Sequence, residues 1–179
     1  MLAKSLVVSA ITDKMTVRGR QKLASAGGRD VIRPDTIHAS AVAVDGQGVL
    51  ILGPSGAGKS SLALQLIALG GMLIGDDRIA LTRAGEDVIA AAPAALSGLI
   101  EARGVGLIRT PATPAPLRLV VDLAQSETER LPPIRHTAIM DMSLPLVLGP
   151  VSAHLPSTIC LLLRGGRIDA ATDLSPETR

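Results

Sequence analysis

Apolar and polar positions along this chain fall into short blocks. Ile37 to Val44 and Val49 to Leu52 are almost wholly apolar and of strand length, and Asp45-Gly46-Gln47-Gly48 between them reads as a turn. The pair predicts a β-hairpin. Ser61 to Leu69 is rich in helix formers and is stopped by Gly70-Gly71, which predicts a helix. Met72 to Gly75 is a short apolar strand ending on Asp76-Asp77. Ile79–Thr82 and Asp87–Ala91 straddle the turn Arg83–Glu86 and predict a second hairpin. Ala94 to Ile100 is apolar, and the chain from Glu101 to Ile108 is charged, then glycine-punctuated, then apolar. Pro111, Pro114 and Pro116 predict a loop outside regular structure. Leu117 to Leu123 reads as a strand, Pro132-Pro133 breaks the chain, and Ile139–Val147 and Thr158–Leu163 are further apolar segments. Residues 1–33 have a polar, basic texture and read as a leader with little fixed order. Residues 34–165 read as the domain, and 166–179 as a tail.

The junction between the second strand and the first helix carries the strongest chemistry. Gly53-Pro54-Ser55-Gly56-Ala57-Gly58-Lys59-Ser60 is a complete G-x-x-x-x-G-K-S phosphate loop. Glycines let the backbone curl so that successive N–H groups converge on an anion. Lys59 supplies charge for the outer phosphates, and the Ser60 hydroxyl can ligate Mg²⁺. Strand, glycine loop and helix is the order this mechanism needs, because the helix N-terminus helps to hold the anion.

Composition narrows the partners. Hydrophobic residues make up 47% of the 179, ample for a core, yet Phe, Tyr and Trp are absent. No ring can therefore stack on a base. The formal charge of +2 suits an anionic substrate, but no dense basic run with interleaved aromatics marks a nucleic-acid partner. The single Cys160 sits in an apolar run and reads as a buried, inert thiol. No apolar run is long enough to cross a bilayer, and the expected location is the cytoplasm.

Other polar groups say what is done with the nucleotide. Asp76 and Asp77 follow a strand, where a carboxylate approaches Mg²⁺ or its waters. Neighbouring residues there point to opposite sides, so one can serve the metal and the other the substrate; a solvated turn pair is the plain alternative. Glu101 could complete the metal shell, and the glycines beside Arg103 would allow close approach to phosphate; a surface loop would read the same. His38, inside an apolar strand, reads first as a satisfied core histidine.

Taken in order, Ile37-His38, the glycine turn, the phosphate loop, Asp76-Asp77-Arg78 and Glu101-x-Arg103-Gly104-x-Gly106-Leu107-Ile108 resemble the catalytic, C-terminal domain of the HPr kinase/phosphorylase family. The last segment is similar to that family's E-x-R-G-hydrophobic-G signature. The resemblance covers Thr36 to Leu131 well and reaches weakly to Leu163. It implies an α/β fold, a mixed sheet around the phosphate loop as in phosphoenolpyruvate carboxykinases. It further implies ATP and Mg²⁺ as cofactors and a serine of HPr, the phosphocarrier of the sugar phosphotransferase system, as acceptor. Many members also run the reverse, in which inorganic phosphate removes the group as pyrophosphate, and they commonly form hexamers. By position, Lys59 and the loop amides would hold phosphates, Ser60 and Glu101 would hold Mg²⁺, and Asp77 would take the serine proton. His38 matches an active-site histidine, and Arg130 resembles an arginine thought to touch the phosphoryl group.

The departures carry expectations of their own. The family is about twice this length, so a short form is expected. Ser61 replaces a common glutamate and Ala39 a common glycine. Leu144 to Pro150 stands about where longer members carry a loop linked to dephosphorylation, so the phosphorylase arm is expected to be weak or lost. A small-molecule phosphate-loop kinase and a nucleotide-sensing module are the competing readings.

Overall fold

The computed structural model describes residues 35–168. The leader read at residues 1–33 lies outside them. Eleven strands and two helices follow in the order β1 (Asp35–Ile37), β2 (Ser40–Val44), β3 (Gln47–Leu52), α1 (Lys59–Ala68), β4 (Met72–Gly75), β5 (Ile79–Ala84), β6 (Asp87–Ala91), β7 (Leu99–Ala102), β8 (Gly106–Arg109), β9 (Ala115–Ser126), β10 (Arg135–Ile139), β11 (Met142–Gly149) and α2 (Leu155–Gly165). A 3₁₀ turn, Ala94–Leu96, precedes β7.

Nine strands form one mixed sheet in the order β1-β5-β6-β9-β3-β2-β4, with β11 also on β9 and β10 outside it. The long strand β9 is the spine. It runs parallel to β3 and β11, while its first residues, Ala115 and Pro116, pair antiparallel with β6. Strands β7 and β8 make a separate hairpin.

The apolar blocks are continuous rather than alternating because both faces of the central strands are covered. On β2, Ala41 and Ala43 enter one core with Leu50, Ile74, Leu117 and Val120. Val42 and Val44 enter the other, with Val49, Ile51 and the helix residues Leu62, Leu66, Leu155 and Ile159. Cys160 is buried in this second core, as its apolar run predicts.

Three expectations are corrected. The block Ile37–Val44 is two strands, not one. Ile37 pairs with Ile79 of β5, whereas Ser40 onward pairs with β3 and β4, so the chain must turn at His38-Ala39 to change partners. The segment Pro111–Pro116 is not all loop, because Pro116 sits at the start of β9, where the missing N–H is tolerated. The apolar run from Ile139 is a strand end, a turn and a second strand. Met140 and Asp141 take positive φ (49° and 64°) without a glycine to announce them. The glycine hairpin behaves as read but is tighter: Asp45 and Gly46 alone turn the chain, at φ 50° and 77°.

Candidate active site

Strand β3 delivers the chain to Gly53, and the loop then curls back into α1. Gly53, Gly56 and Gly58 adopt φ of 147°, 82° and 97°, angles that side chains rarely permit. Packing enforces the curl as well. A Cβ on Gly53 would come within 3.1 Å of Leu123 and Ala57, and one on Gly58 within 3.2 Å of Val151. Gly58 occupies the cap position of α1 with no side-chain capping bond. The first-turn amides are thus not used by a side-chain cap, which is the arrangement that receives an anion.

Lys59 is 6% exposed. Its Nζ donates to the carbonyl oxygens of Gly53 (3.0 Å) and Pro54 (3.1 Å), which folds the ammonium over the loop. The next residue, Ser60, donates from Oγ to Asp76 Oδ1 at 3.0 Å.

Asp76 and Asp77, one peptide apart, have opposite environments. Asp76 is 7% exposed and Asp77 lies in the open. A tight turn, with Arg78 N–H donating to Asp76 O at 2.8 Å, sets Asp77 at φ 67° and separates the two carboxylates. Asp76 accepts three bonds: Ser40 Oγ at 2.5 Å and Ser60 Oγ at 3.0 Å on Oδ1, and the Glu101 amide at 3.2 Å on Oδ2. Asp77 Oδ1 lies 3.0 Å from His38 Nδ1, and that nitrogen is also 3.0 Å from the Asp77 carbonyl. His38 is therefore not a core residue. It stands at the β1–β2 corner with its side chain 55% exposed.

These groups surround one cavity of about 420 Å³. His38, Ser55, Gly56, Gly58, Lys59, Ser60, Asp76, Asp77, Glu101 and Arg103 all line it. Gly53, Pro54 and Ala57 belong to the loop and are not among the lining residues. Arg130 is not among the lining residues; it is exposed on the connection between β9 and β10. There Arg135 binds Glu127 (Nε to Oε2, 2.9 Å) and Glu129 (Nη2 to Oε1, 3.6 Å), and its guanidinium holds the Glu127 carboxyl down at about 2.

Four further residues line the cavity: Ser61, Leu96, Leu99 and Leu107. Leu107 belongs to the E-x-R-G stretch, but that pattern speaks for its charged members and not for the leucine. Ser40 does not line the cavity and reaches the site through its hydrogen bond to Asp76. A serine in an apolar strand gives no signal until its complete burial is known, and only then must its hydroxyl have a partner.

A family model described as the HPr serine kinase C-terminal domain matches residues 30–153. The chain belongs to this family. The HPr kinase/phosphorylase of Levilactobacillus brevis is 38% identical over 109 residues, which cover 60% of this chain and 32% of that protein. That of Bordetella pertussis is 42% identical over 118 residues, covering 59% and 38%. The chain thus spans roughly a third of the length of these curated relatives. The solved HPr(Ser) kinase/phosphatase of Coxiella burnetii superposes with a TM-score of 0.64 at 30% identity, over 73% of this chain and 94% of that one. The α/β fold expected from the resemblance is the fold observed. Among the described residues, no helix is long and apolar enough to cross a membrane.

Proposed function

We propose that this chain is an ATP-dependent protein-serine kinase whose acceptor is an HPr-like phosphocarrier. The observation that carries the reading is the division of labour between Asp76 and Asp77 across one cavity from the phosphate loop. One carboxylate is buried against the loop serine, and the other is exposed beside a histidine. Phosphoryl transfer needs placement, charge neutralisation and one group to take the acceptor's proton. Lys59 and the loop amides hold the β- and γ-phosphates. The serine hydroxyl of the carrier attacks the γ-phosphorus, its proton passes to the Asp77 carboxylate, and the bond to the departing ADP oxygen breaks. His38 orients that carboxylate.

The donor set fits Mg²⁺. Ser60, Asp76 and Glu101 offer hard oxygens, and among the described residues no group of three or more His, Cys, Asp or Glu forms a metal cage. Oxygens from one or two side chains together with substrate phosphates are the ligands Mg²⁺ usually takes. When bound, Mg²⁺ would neutralise charge on the β- and γ-oxygens.

A protein acceptor also accounts for the rim. Leu107 lines the cavity and is 73% exposed, and Val105 beside it is 80% exposed. Exposed apolar surface at the mouth of a site is surface for a macromolecule to cover. Cytoplasmic location, assembly into a homo-oligomer and a part for Arg130 near the phosphoryl group belong to the same proposal. So does a weak or lost reverse reaction with inorganic phosphate, since Leu144 to Gly149 lies within strand β11.

The test is transfer of labelled phosphate from ATP with Mg²⁺ to HPr, beside HPr whose regulatory serine is alanine. Label on the wild-type carrier alone is the expected result. Label on neither, with ATP still bound, overturns the assignment of the acceptor. Adding inorganic phosphate to the labelled product should release pyrophosphate far more slowly than the forward rate.

A further inference from the structure

We propose that Ser40 is a positioning residue for the metal-nucleotide site, acting through Asp76. The inference rests on the phosphate-loop reading above and assigns a residue which that reading does not use. Ser40 opens β2, is fully buried, and places its hydroxyl 2.5 Å from Asp76 Oδ1. That length lies at the short end of the O–H···O range.

An ionised carboxylate offers about four lone-pair sites. Protein donors fill three of them on Asp76, and each comes from a different element: Ser40 from β2, Ser60 from α1 and the Glu101 amide from β7. Three donors on two oxygens fix both the position and the plane of the carboxylate. One site remains for an ion or its water. Because Ser60 spends its single hydroxyl proton on Oδ1, the lone pairs of Ser60 Oγ stay free to ligate. Asp76 thus orients the loop serine, and Ser40 orients Asp76. Without the Ser40 hydroxyl, Oδ1 loses its shortest bond. The carboxylate can then turn about its Cβ–Cγ bond, and the Ser60 proton loses its fixed acceptor. Removal of groups that orient metal ligands typically weakens metal affinity 10–100-fold.

The experiment measures binding, not turnover. Titration calorimetry of the full chain with a non-hydrolysable ATP analogue, first in EDTA and then across a Mg²⁺ series, gives the metal-free affinity and the Mg²⁺ concentration that half-saturates the tightening. Ser40→Ala should raise that concentration about tenfold while leaving the metal-free affinity within about twofold, because the loop amides and Lys59 are untouched. Ser40→Thr, which keeps the hydroxyl, should return most of the loss. If the alanine variant does not hold the fold, Ser40→Cys, of nearly the same size and a weak donor, takes its place with the same expected loss. An unchanged Mg²⁺ requirement in these variants overturns the inference and leaves the kinase reading standing. So does an equal fall of metal-free and metal-dependent affinity, the mark of a merely structural serine. If the wild-type protein binds the analogue without any response to Mg²⁺, the metal part of the proposed function fails and the role of Ser40 fails with it.

Discussion

At the scale of single residues, the proposed function turns on where two neighbouring carboxylates are sent. The left-handed turn at Asp77 puts one carboxylate in the open beside His38 and leaves Asp76 buried among three donors. Asp77→Asn keeps the size and the turn, since asparagine tolerates positive φ, but removes the proposed base. The expected outcome is ATP affinity close to wild type and phosphoryl transfer slower by roughly 10²–10⁴-fold. Calorimetry beside a single-turnover transfer assay separates the two. A variant that loses both binding and transfer would argue that Asp77 shapes the loop rather than takes a proton. The structure brings this pair, the phosphate loop and Glu101 around one cavity, and each was legible in the sequence because it lies in a short motif with chemistry of its own. Ser40 and Leu107 were not legible. Their relevance depends on burial in one case and on exposure at a cavity rim in the other, and neither is written in a motif.

At the scale of elements, the β7–β8 hairpin is the part that the main sheet does not incorporate. Ile100 and Ala102 on β7 are buried, whereas every residue of β8 is exposed. The hairpin presents Leu107 to the cavity and Val105 at its tip. If it seats a protein acceptor, Leu107→Asp should raise the KM for the carrier by about tenfold or more, the loss of one anchor of about 1–2 kcal/mol. The affinity for ATP should stay near wild type, a split that steady-state kinetics varied in carrier and in ATP separately will read. Equal effects on both would place Leu107 in the nucleotide pocket instead. Element boundaries were less legible than motifs for a specific reason. A strand that changes partners, as the chain does at His38-Ala39, keeps its apolar character throughout, so no residue marks the break. The Met140-Asp141 turn was hidden because a methionine and an aspartate take the conformation that glycine or asparagine usually announces.

At the scale of the molecule, the site is fastened to the fold from behind. Leu123 of β9 closes on Gly53, and Val151, between β11 and α2, closes on Gly58. Helix α2 is in turn tied to the first hairpin, since Gln47 donates to Leu163 O at 3.0 Å and Arg164 pairs with Asp45 at 2.7 Å. The connection after β9 joins this frame through the Glu127 amide, which donates to Gly149 O at 3.1 Å two residues before Val151. Arg135 on β10 holds the Glu127 side chain and lowers its carboxyl from an ordinary 4.5 to about 2. A carboxylate depressed by folding stabilises the native state fully above its unfolded value. The contribution is lost as pH falls through the folded value, since the unfolded chain takes up the proton first. Glu127→Gln should therefore cost stability at pH 6. The gap from wild type should begin to narrow below about pH 4.5 and close near pH 2, as urea midpoints measured along that series will show. High salt should shrink the gap at pH 6, because the Arg135 side chain is 33% exposed and the pair is partly screened. A gap independent of pH would mean that Glu127 acts through its packing and the turn its carboxyl closes on the Thr128 and Glu129 amides, rather than through its charge, in holding the connection that carries Arg130.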